Sequence, residues 1–267
     1  MPDLLVKPSP PDDDKCIVHI TPESAGWNYV GFAVHQMLAG DAFERRFTGR
    51  ETCIVVVSGF ATIIAGDAVF DGVGNRTDVF AECPPAAVYV PPGMDMRVVT
   101  DTGAEVALCT APSGGGYPAR LIDPETIEVL ERGSGTNRRI VRNILPETED
   151  ADSLLIAEVI TPGGHWSSYP PHKHDTDNVP EESSLEETYY HRLNPRQGFV
   201  LQRVYTDDRG IDETMAAYDG DVVMVPRGYH PVGAPHGYDS YYLNVMAGPR
   251  RTWIINNDPD HEWIVGA

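Results

Sequence analysis

Basic residues are scarce in this chain. It carries 20 lysines and arginines against 40 aspartates and glutamates, a net charge of −20. That deficit argues against nucleic acid and anionic membrane as partners, because no surplus of cations is there to displace counterions. Cysteine is sparse as well. Cys16, Cys53, Cys83 and Cys109 stand far apart with no close pair, which fits neither a disulfide framework nor a zinc-ribbon spacing. They read as reduced, structural residues. Long apolar runs are missing, since nothing approaches the roughly 18 consecutive apolar residues of a membrane helix. The first residues lack the basic-then-apolar order of a secretory signal. A soluble cytoplasmic protein is the expectation. Helical periodicity is short wherever it occurs, and there is no nucleophile elbow, Walker motif or dinucleotide fingerprint. Gly114-Gly115-Gly116 and Gly133-Ser134-Gly135 lie outside any strand–loop–helix context and read as turns.

What the chain has instead is a succession of short β-forming stretches. Ile54-Val55-Val56-Val57, Ala86-Ala87-Val88-Tyr89-Val90, Leu154-Leu155-Ile156-Ala157 and Asp221-Val222-Val223-Met224-Val225 are each bounded by Gly, Pro or Asp, as strands are. Asp123 to Arg132 reads two ways: Asp123-Pro124 is a helix start, whereas Thr126-Ile127-Glu128-Val129 alternates like an edge strand. The halves also repeat each other. Val90-Pro91-Pro92-Gly93 aligns with Val225-Pro226-Arg227-Gly228, Glu51-Thr52 with Glu187-Thr188, and Ala107-Leu108-Cys109-Thr110-Ala111 with Leu243-Asn244-Val245-Met246-Ala247. With 267 residues and a 41% hydrophobic fraction, the chain has room for two ordinary domains. The expectation is an all-β protein of two fused jelly-roll barrels with little helix. One barrel would span 1–145 and the other 146–267, divided at the polar break after Leu145-Pro146.

Histidine is distributed unevenly: seven of the nine lie from His165 onward. In His172-Lys173-His174 the two imidazoles sit at i and i+2, so on an extended strand both face one way and can meet one ion. Glu187, Tyr189 and His191 share a phase further on, and His230 follows the Val-Pro-x-Gly turn. Three imidazoles and a carboxylate suit a divalent transition ion with open positions. The N-terminal repeat keeps Glu51 but has Arg45, Arg46 and Arg50 where the His pair would be, and Asp95 at the position of His230. One metal per chain is therefore expected, in the second barrel. His19 and His35 read as strand residues rather than ligands.

A His-x-His, a later Glu and a distant His after a Pro-x-Gly turn resembles the cupin metal pattern. The flanking sequence is more specific. Ser168-Tyr169-Pro170-Pro171-His172-Lys173-His174-Asp175, Glu186-Glu187-Thr188-Tyr189-Tyr190-His191-Arg192, Gln202-Arg203-Val204-Tyr205-Thr206-Asp207-Asp208 and Pro226-Arg227-Gly228-Tyr229-His230-Pro231-Val232 resemble the 5-deoxy-glucuronate isomerase family of myo-inositol catabolism. So do Thr21-Pro22-Glu23-Ser24-Ala25-Gly26-Trp27 and Tyr29-Val30-Gly31-Phe32, and the resemblance spans all but the first dozen residues. One departure concerns spacing. Twelve residues separate His174 from Glu187, where cupins have a few, so Asp175 to Glu186 reads as an acidic loop inserted over the site. Glu186 and Glu182 are the substitutes for Glu187 as ligand, but strand phase favours Glu187.

The resemblance implies a bicupin isomerase that converts 5-deoxy-D-glucuronate, an anionic sugar acid, into 5-dehydro-2-deoxy-D-gluconate by an aldose–ketose shift. The implied metal ligands are His172, His174, Glu187 and His230. The ion is divalent, zinc first, with manganese, iron, cobalt and nickel also compatible. Glu187, Tyr189 and His236 are the candidates for moving the proton, although His236 reads equally as a brace for its loop. Arg203 is the first candidate for the substrate carboxylate, with Arg192 and Arg227 behind it, since guanidinium binds carboxylate bidentately. A homo-oligomer, dimer or larger, is compatible with the exposed edges of cupin sheets. The competing readings are a ketol-isomerase of pectin-derived uronates, a cupin dioxygenase and a non-catalytic sugar-binding cupin.

Overall fold

The computed structural model describes residues 3–266 and consists almost wholly of antiparallel strands. Two compact units emerge, and they do not divide at a single point in the chain. One comprises Pro8–Glu128 and Asn143–Leu154. The other comprises Leu155 onward together with Val129–Arg142 and the N-terminal stretch through Lys7. The expected boundary at Leu145–Pro146 coincides with the end of the strand Arg139–Leu145.

In the N-terminal unit the sheet path runs Arg120–Ile122, Ala86–Val90, Arg50–Ala65, Ala104–Pro112, Gly31–Met37 and Cys16–Ile20. The 16-residue strand Arg50–Ala65 serves two neighbourhoods. Its first half pairs with Ala86–Val90, and its second half pairs with Met96–Val99 and Ala68–Arg76. Gly59 makes the change of direction feasible: its φ is +83°, and a Cβ there would fall 2.3 Å from the Gly103 carbonyl oxygen, a fit open to glycine alone. Ile54, Val56, Ile63, Val88, Val98, Val106 and Leu108 form the core, one residue in two along each strand, and the alternate residues Cys53, Val55, Ala87, Ala107 and Cys109 are buried on the other face.

The C-terminal unit repeats the plan. Its seven-stranded sheet runs Leu5–Val6, Val222–Val225, Glu186–Asn194, Asp239–Ala247, Leu155–Thr161, Arg139–Leu145 and Glu128–Arg132. A four-stranded sheet of Trp166–Ser167, Val232–Gly233, Phe199–Tyr205 and Asp212–Tyr218 accompanies it. The central strand Glu186–Asn194 lies between Val222–Val225 and Asp239–Ala247, just as Arg50–Ala65 lies between Ala86–Val90 and Ala104–Pro112. The sequence repeat is therefore a repeat of strand pairing. Across the C-terminal unit the inward positions come into register: Glu187 lies opposite Met246, Tyr189 opposite Asn244 and His191 opposite Tyr242.

The ambiguous stretch after Ile122 contains both expected elements. Asp123 caps a 3₁₀ turn, Pro124–Thr126, by accepting the Glu125 amide at 2.9 Å, and the edge strand Glu128–Arg132 follows. Among the described residues no helix is long and apolar enough to cross a membrane.

On the opposite face of the strand Arg139–Leu145, Arg142 donates to Glu158 at 2.8 Å, and Tyr241 donates to the other oxygen of Glu158 at 3.0 Å. Both charged side chains are buried. Removing one partner of such a pair leaves a desolvated charge behind. Glu158→Ala is expected to cost about 3–5 kcal/mol of stability, measurable as a lower urea midpoint at unchanged slope.

Candidate metal centre

Three segments bring the candidate ligands together. His172 and His174 flank Lys173, and the two-residue strand His172–Lys173 pairs with Asn256–Asn257. Glu187 begins the inward phase of the central strand. His230 follows a turn in which Gly228 has φ +95°, where a Cβ would lie 2.5 Å from the Tyr205 carbonyl oxygen. Glycine at that position lets the chain turn tightly enough to carry His230 into the interior.

Each imidazole is oriented by its own backbone contact. His172 Nδ1 lies 3.3 Å from the Pro170 carbonyl oxygen, His174 Nδ1 3.2 Å from that of Leu185, and His230 Nδ1 2.8 Å from that of Gly228. A carbonyl can only accept, so each Nδ1 carries the hydrogen and Nε2 is left to bind. His174 Nε2 is 3.1 Å and His230 Nε2 3.3 Å from the same oxygen of Glu187. Atoms of His174, Glu187 and His230 all lie within 4.8 Å of one another. His172 stands at the rim of the cluster, its ring centroid 5.0 Å from that of His230 and 6.4 Å from that of His174.

These residues fit a divalent cation. His230 Nε2 is buried without a hydrogen-bond partner, and it faces a carboxylate oxygen that can only accept. A cation between the two satisfies both. Burial, together with the neighbouring His174 charge, pushes His172 down to about 3. Burial also takes His230 down to about 3. Burial lowers His174 as well, but the hydrogen bond and charge of Glu187 outweigh it and raise it on balance. Glu187 thus favours a proton on His174 in the metal-free state, and a metal ion bound here would compete with that proton.

Around the cluster lies further polar machinery. The Tyr189 hydroxyl is 2.9 Å from Ser168 Oγ. Burial first, and then the Glu187 charge, raise Tyr189 well above the usual phenol value. His191 Nε2 lies 2.9 Å from Gln202 Oε1, and burial lowers His191 to about 4. Lys173 alternates away from its two histidine neighbours. Its Nζ reaches Asp175 at 2.7 Å and Glu182 at 3.2 Å. The second oxygen of Asp175 takes the Gly228 amide at 2.9 Å. Asp175–Asn178 and Glu182–Ser184 form a hairpin, so the stretch expected as an acidic loop is paired structure. Glu182 is engaged by Lys173, by Asn256 and by the amides of Asp175 and Thr176, whereas the carboxylate grouped with His174 and His230 is that of Glu187.

A model of the KduI/IolB family matches residues 4–264. The chain belongs to that family. A protein of Geobacillus kaustophilus named 5-deoxy-glucuronate isomerase is 54% identical over 98% of this chain and 95% of its own length. The crystal structure of an IolB-like protein from Salmonella typhimurium superposes with a TM-score of 0.95 at 50% identity, covering 98% and 99% of the two chains. A mutant form of oxalate decarboxylase from Bacillus subtilis matches with a TM-score of 0.65 at 12% identity over 96% of this chain and 80% of that one, which makes the fold that of the bicupins.

Two residues expected at the site of this family member lie elsewhere. His236 is exposed, in a turn closed by the Tyr238 amide on the Pro235 carbonyl. Its loop needs a tight reversal before the strand Asp239–Ala247, and that reversal turns the side chain outward. Arg203 occupies the opposite phase from the buried Val200, Gln202 and Val204. It binds Asp212 through Nε and Nη2 at 2.8 and 2.9 Å and lines a cavity of about 250 Å³ with Trp166, Tyr169 and Tyr205. Of its understudies, Arg192 pairs with Asp219 and Arg227 is exposed.

His230→Ala is expected to lower tight metal occupancy from about one ion per chain to near zero, read by elemental analysis after dialysis. The pKa directions also set a pH dependence. An unfolded chain protonates His172 and His230 near 6.5, the folded metal-free chain only near 3. Between those values the unfolded state binds more protons, so metal-free protein loses stability as pH falls through that window. Thermal melts of metal-free protein at stepped pH are expected to show the loss, and His230→Ala to make it shallower.

Proposed function

We infer that this chain is a 5-deoxy-glucuronate isomerase, a metal-dependent enzyme converting 5-deoxy-D-glucuronate to 5-dehydro-2-deoxy-D-gluconate. The observation that carries the reading is the pair of imidazoles, His174 and His230, grouped about the buried Glu187 carboxylate with His172 at the rim, all three fixed at Nδ1 on backbone carbonyls. That set occurs in a chain matched along nearly its whole length by a relative of that name. The reading includes one divalent transition ion per chain, zinc first on the donor set, held by His172, His174, Glu187 and His230 in the C-terminal barrel. It also includes work in the cytoplasm, to which the four free cysteines lend support, and assembly into a homo-oligomer.

The reaction moves two protons and no net electrons. The C2–H bond of the open-chain aldose breaks and a C1–H bond forms, while the proton on O2 passes to O1. A divalent ion, when bound, supplies Lewis acidity to the two oxygens and so lowers the cost of removing a proton next to a carbonyl. Glu187 is the carboxylate in reach and carries the proton from C2 to C1. Tyr189 keeps its hydrogen at neutral pH, because burial and the Glu187 charge both oppose ionisation. It is thus a hydrogen-bond donor for charge developing on a substrate oxygen, with Ser168 Oγ at 2.9 Å to steady or relay that proton. The barrel wall of Tyr242, Val159 and Val200 keeps bulk water from these groups, which strengthens each interaction.

The test is isomerisation of 5-deoxy-D-glucuronate followed by NMR. Chelation is expected to abolish turnover and re-addition of zinc or manganese to restore it. Tyr189→Phe is expected to lower kcat about 10²-fold with metal content unchanged. Full-rate turnover by metal-free protein would remove the proposed mechanism, and oxygen consumption with the substrate would replace it with an oxygenase reading.

A further inference from the structure

We propose that Arg139 binds the carboxylate of the substrate, holding the far end of the sugar acid while its aldehyde end reaches the metal centre. The proposal rests on the isomerase reading for the identity of the substrate, and on the fold for the identity of the residue.

The position of Arg139 follows from strand phase. The strand Arg139–Leu145 lies beside Leu155–Thr161 in the seven-stranded sheet. Val141 packs against the cluster that contains Val159, Tyr189 and Tyr242, so it points into the C-terminal barrel. Arg139, two residues earlier, points the same way. Arg142, on the other phase, faces the opposite side and is bound to Glu158.

Its surroundings leave the charge without an anion. Arg139 Nη1 donates to the Asn137 carbonyl at 3.0 Å and to the Tyr169 carbonyl at 3.5 Å. These neutral acceptors steady one nitrogen without neutralising the cation. No carboxylate among the described residues is bonded to Arg139, in a chain with 40 acidic residues. Arg142, Arg192 and Arg203 each have one. Gly133 makes room, since a Cβ there would stand 2.8 Å from Arg139 Nη1.

The guanidinium also lies beside the segment that carries His172: its Nη1 is 3.5 Å from the carbonyl oxygen of Tyr169, and the next carbonyl, that of Pro170, accepts from His172 Nδ1. Burial lowers its own pKa, and Arg132 adds repulsion, which is the environment of a cation awaiting a counter-ion. The side chain is only partly exposed, so a carboxylate that meets it is partly desolvated, and a charge-assisted pair there is stronger than one at the surface.

The experiment compares metal-loaded wild type with Arg139→Gln, Arg139→Lys and Arg138→Gln. Arg138 is exposed and paired with Glu131, so it controls for charge changes beside the site. Arg139→Gln is expected to raise KM for 5-deoxy-D-glucuronate about 10- to 100-fold, with a smaller change in kcat. Metal content and thermal midpoint are expected to hold. Arg139→Lys keeps the charge but loses the fork, and is expected to recover part of the loss. Arg138→Gln is expected to match wild type. Calorimetric titration with D-glucuronate and with uncharged D-glucose separates this proposal from the isomerase reading. Weaker D-glucuronate binding in Arg139→Gln, with D-glucose unaffected, supports the assignment even if wild type turns over nothing, an outcome that would overturn only the isomerase reading. Equal D-glucuronate binding by wild type and Arg139→Gln, no binding by either, or equal losses for both sugars would overturn the assignment.

Discussion

Glu187 is held inside the C-terminal barrel at 1% exposure, with imidazole nitrogens at 3.1 and 3.3 Å from one of its oxygens. A lone carboxylate in such a place is strongly disfavoured unless a positive partner stays with it. The barrel meets that demand with geometry fixed in advance. Three backbone carbonyls hold the Nδ1 hydrogens of His172, His174 and His230, so their Nε2 atoms cannot turn away. The closed strand pairing of Glu186–Asn194 between its two neighbours prevents Glu187 from escaping to solvent. A proton on His174 or a metal ion can answer the charge, and the competition between them links metal affinity to pH.

The N-terminal unit places its buried glutamate differently. Thr52 pairs with Val90 and Thr110 as Glu187 pairs with Val225 and Met246, so Glu51 stands one residue away from Glu187's place and on the other face of its strand. It is buried, and its two oxygens accept from Tyr89 at 2.7 Å and from the amides of Asp152, Ser153 and Leu154 at 2.7–2.8 Å. Four donors satisfy its charge without a cation. His35, which the sequence suggested as a strand residue, bonds the Asp14 carbonyl through Nδ1 at 2.8 Å and stacks on Phe43. The buried carboxylate of this unit is thus a clasp for its own chain.

Much of this was legible before any coordinates, and the reasons are local. His172 and His174 share a face because a strand has period two. Glu187 is preferred over Glu186 by the same count, and the Val-Pro-x-Gly turn marks the place where a strand ends and re-enters the interior at His230. What stayed hidden depends on pairing between distant segments. Nothing near Arg139 says that its strand joins the sheet of the second barrel, because the register with Leu155–Thr161 exists only after folding. Arg203 looked free because its partner, Asp212, is nine residues away across a hairpin. His236 looked close because it follows His230 by six residues, but the chain reverses in between. The insertion after His174 was visible as extra length, whereas its folding back on itself required knowing that Glu182 would meet Lys173.

Lys173 sits between two of the histidines and points the other way. It grips Asp175 and Glu182 at the base of the hairpin, and Asp175 in turn holds the Gly228 amide two residues before His230. One ammonium group thus ties the segment that carries His172 and His174 to the segment that carries His230. The hairpin tip around Val179 is exposed and has no such duty. In descendants of this chain the tip can drift in sequence and length, whereas Lys173, Asp175 and Glu182 are tied to one another and change only together.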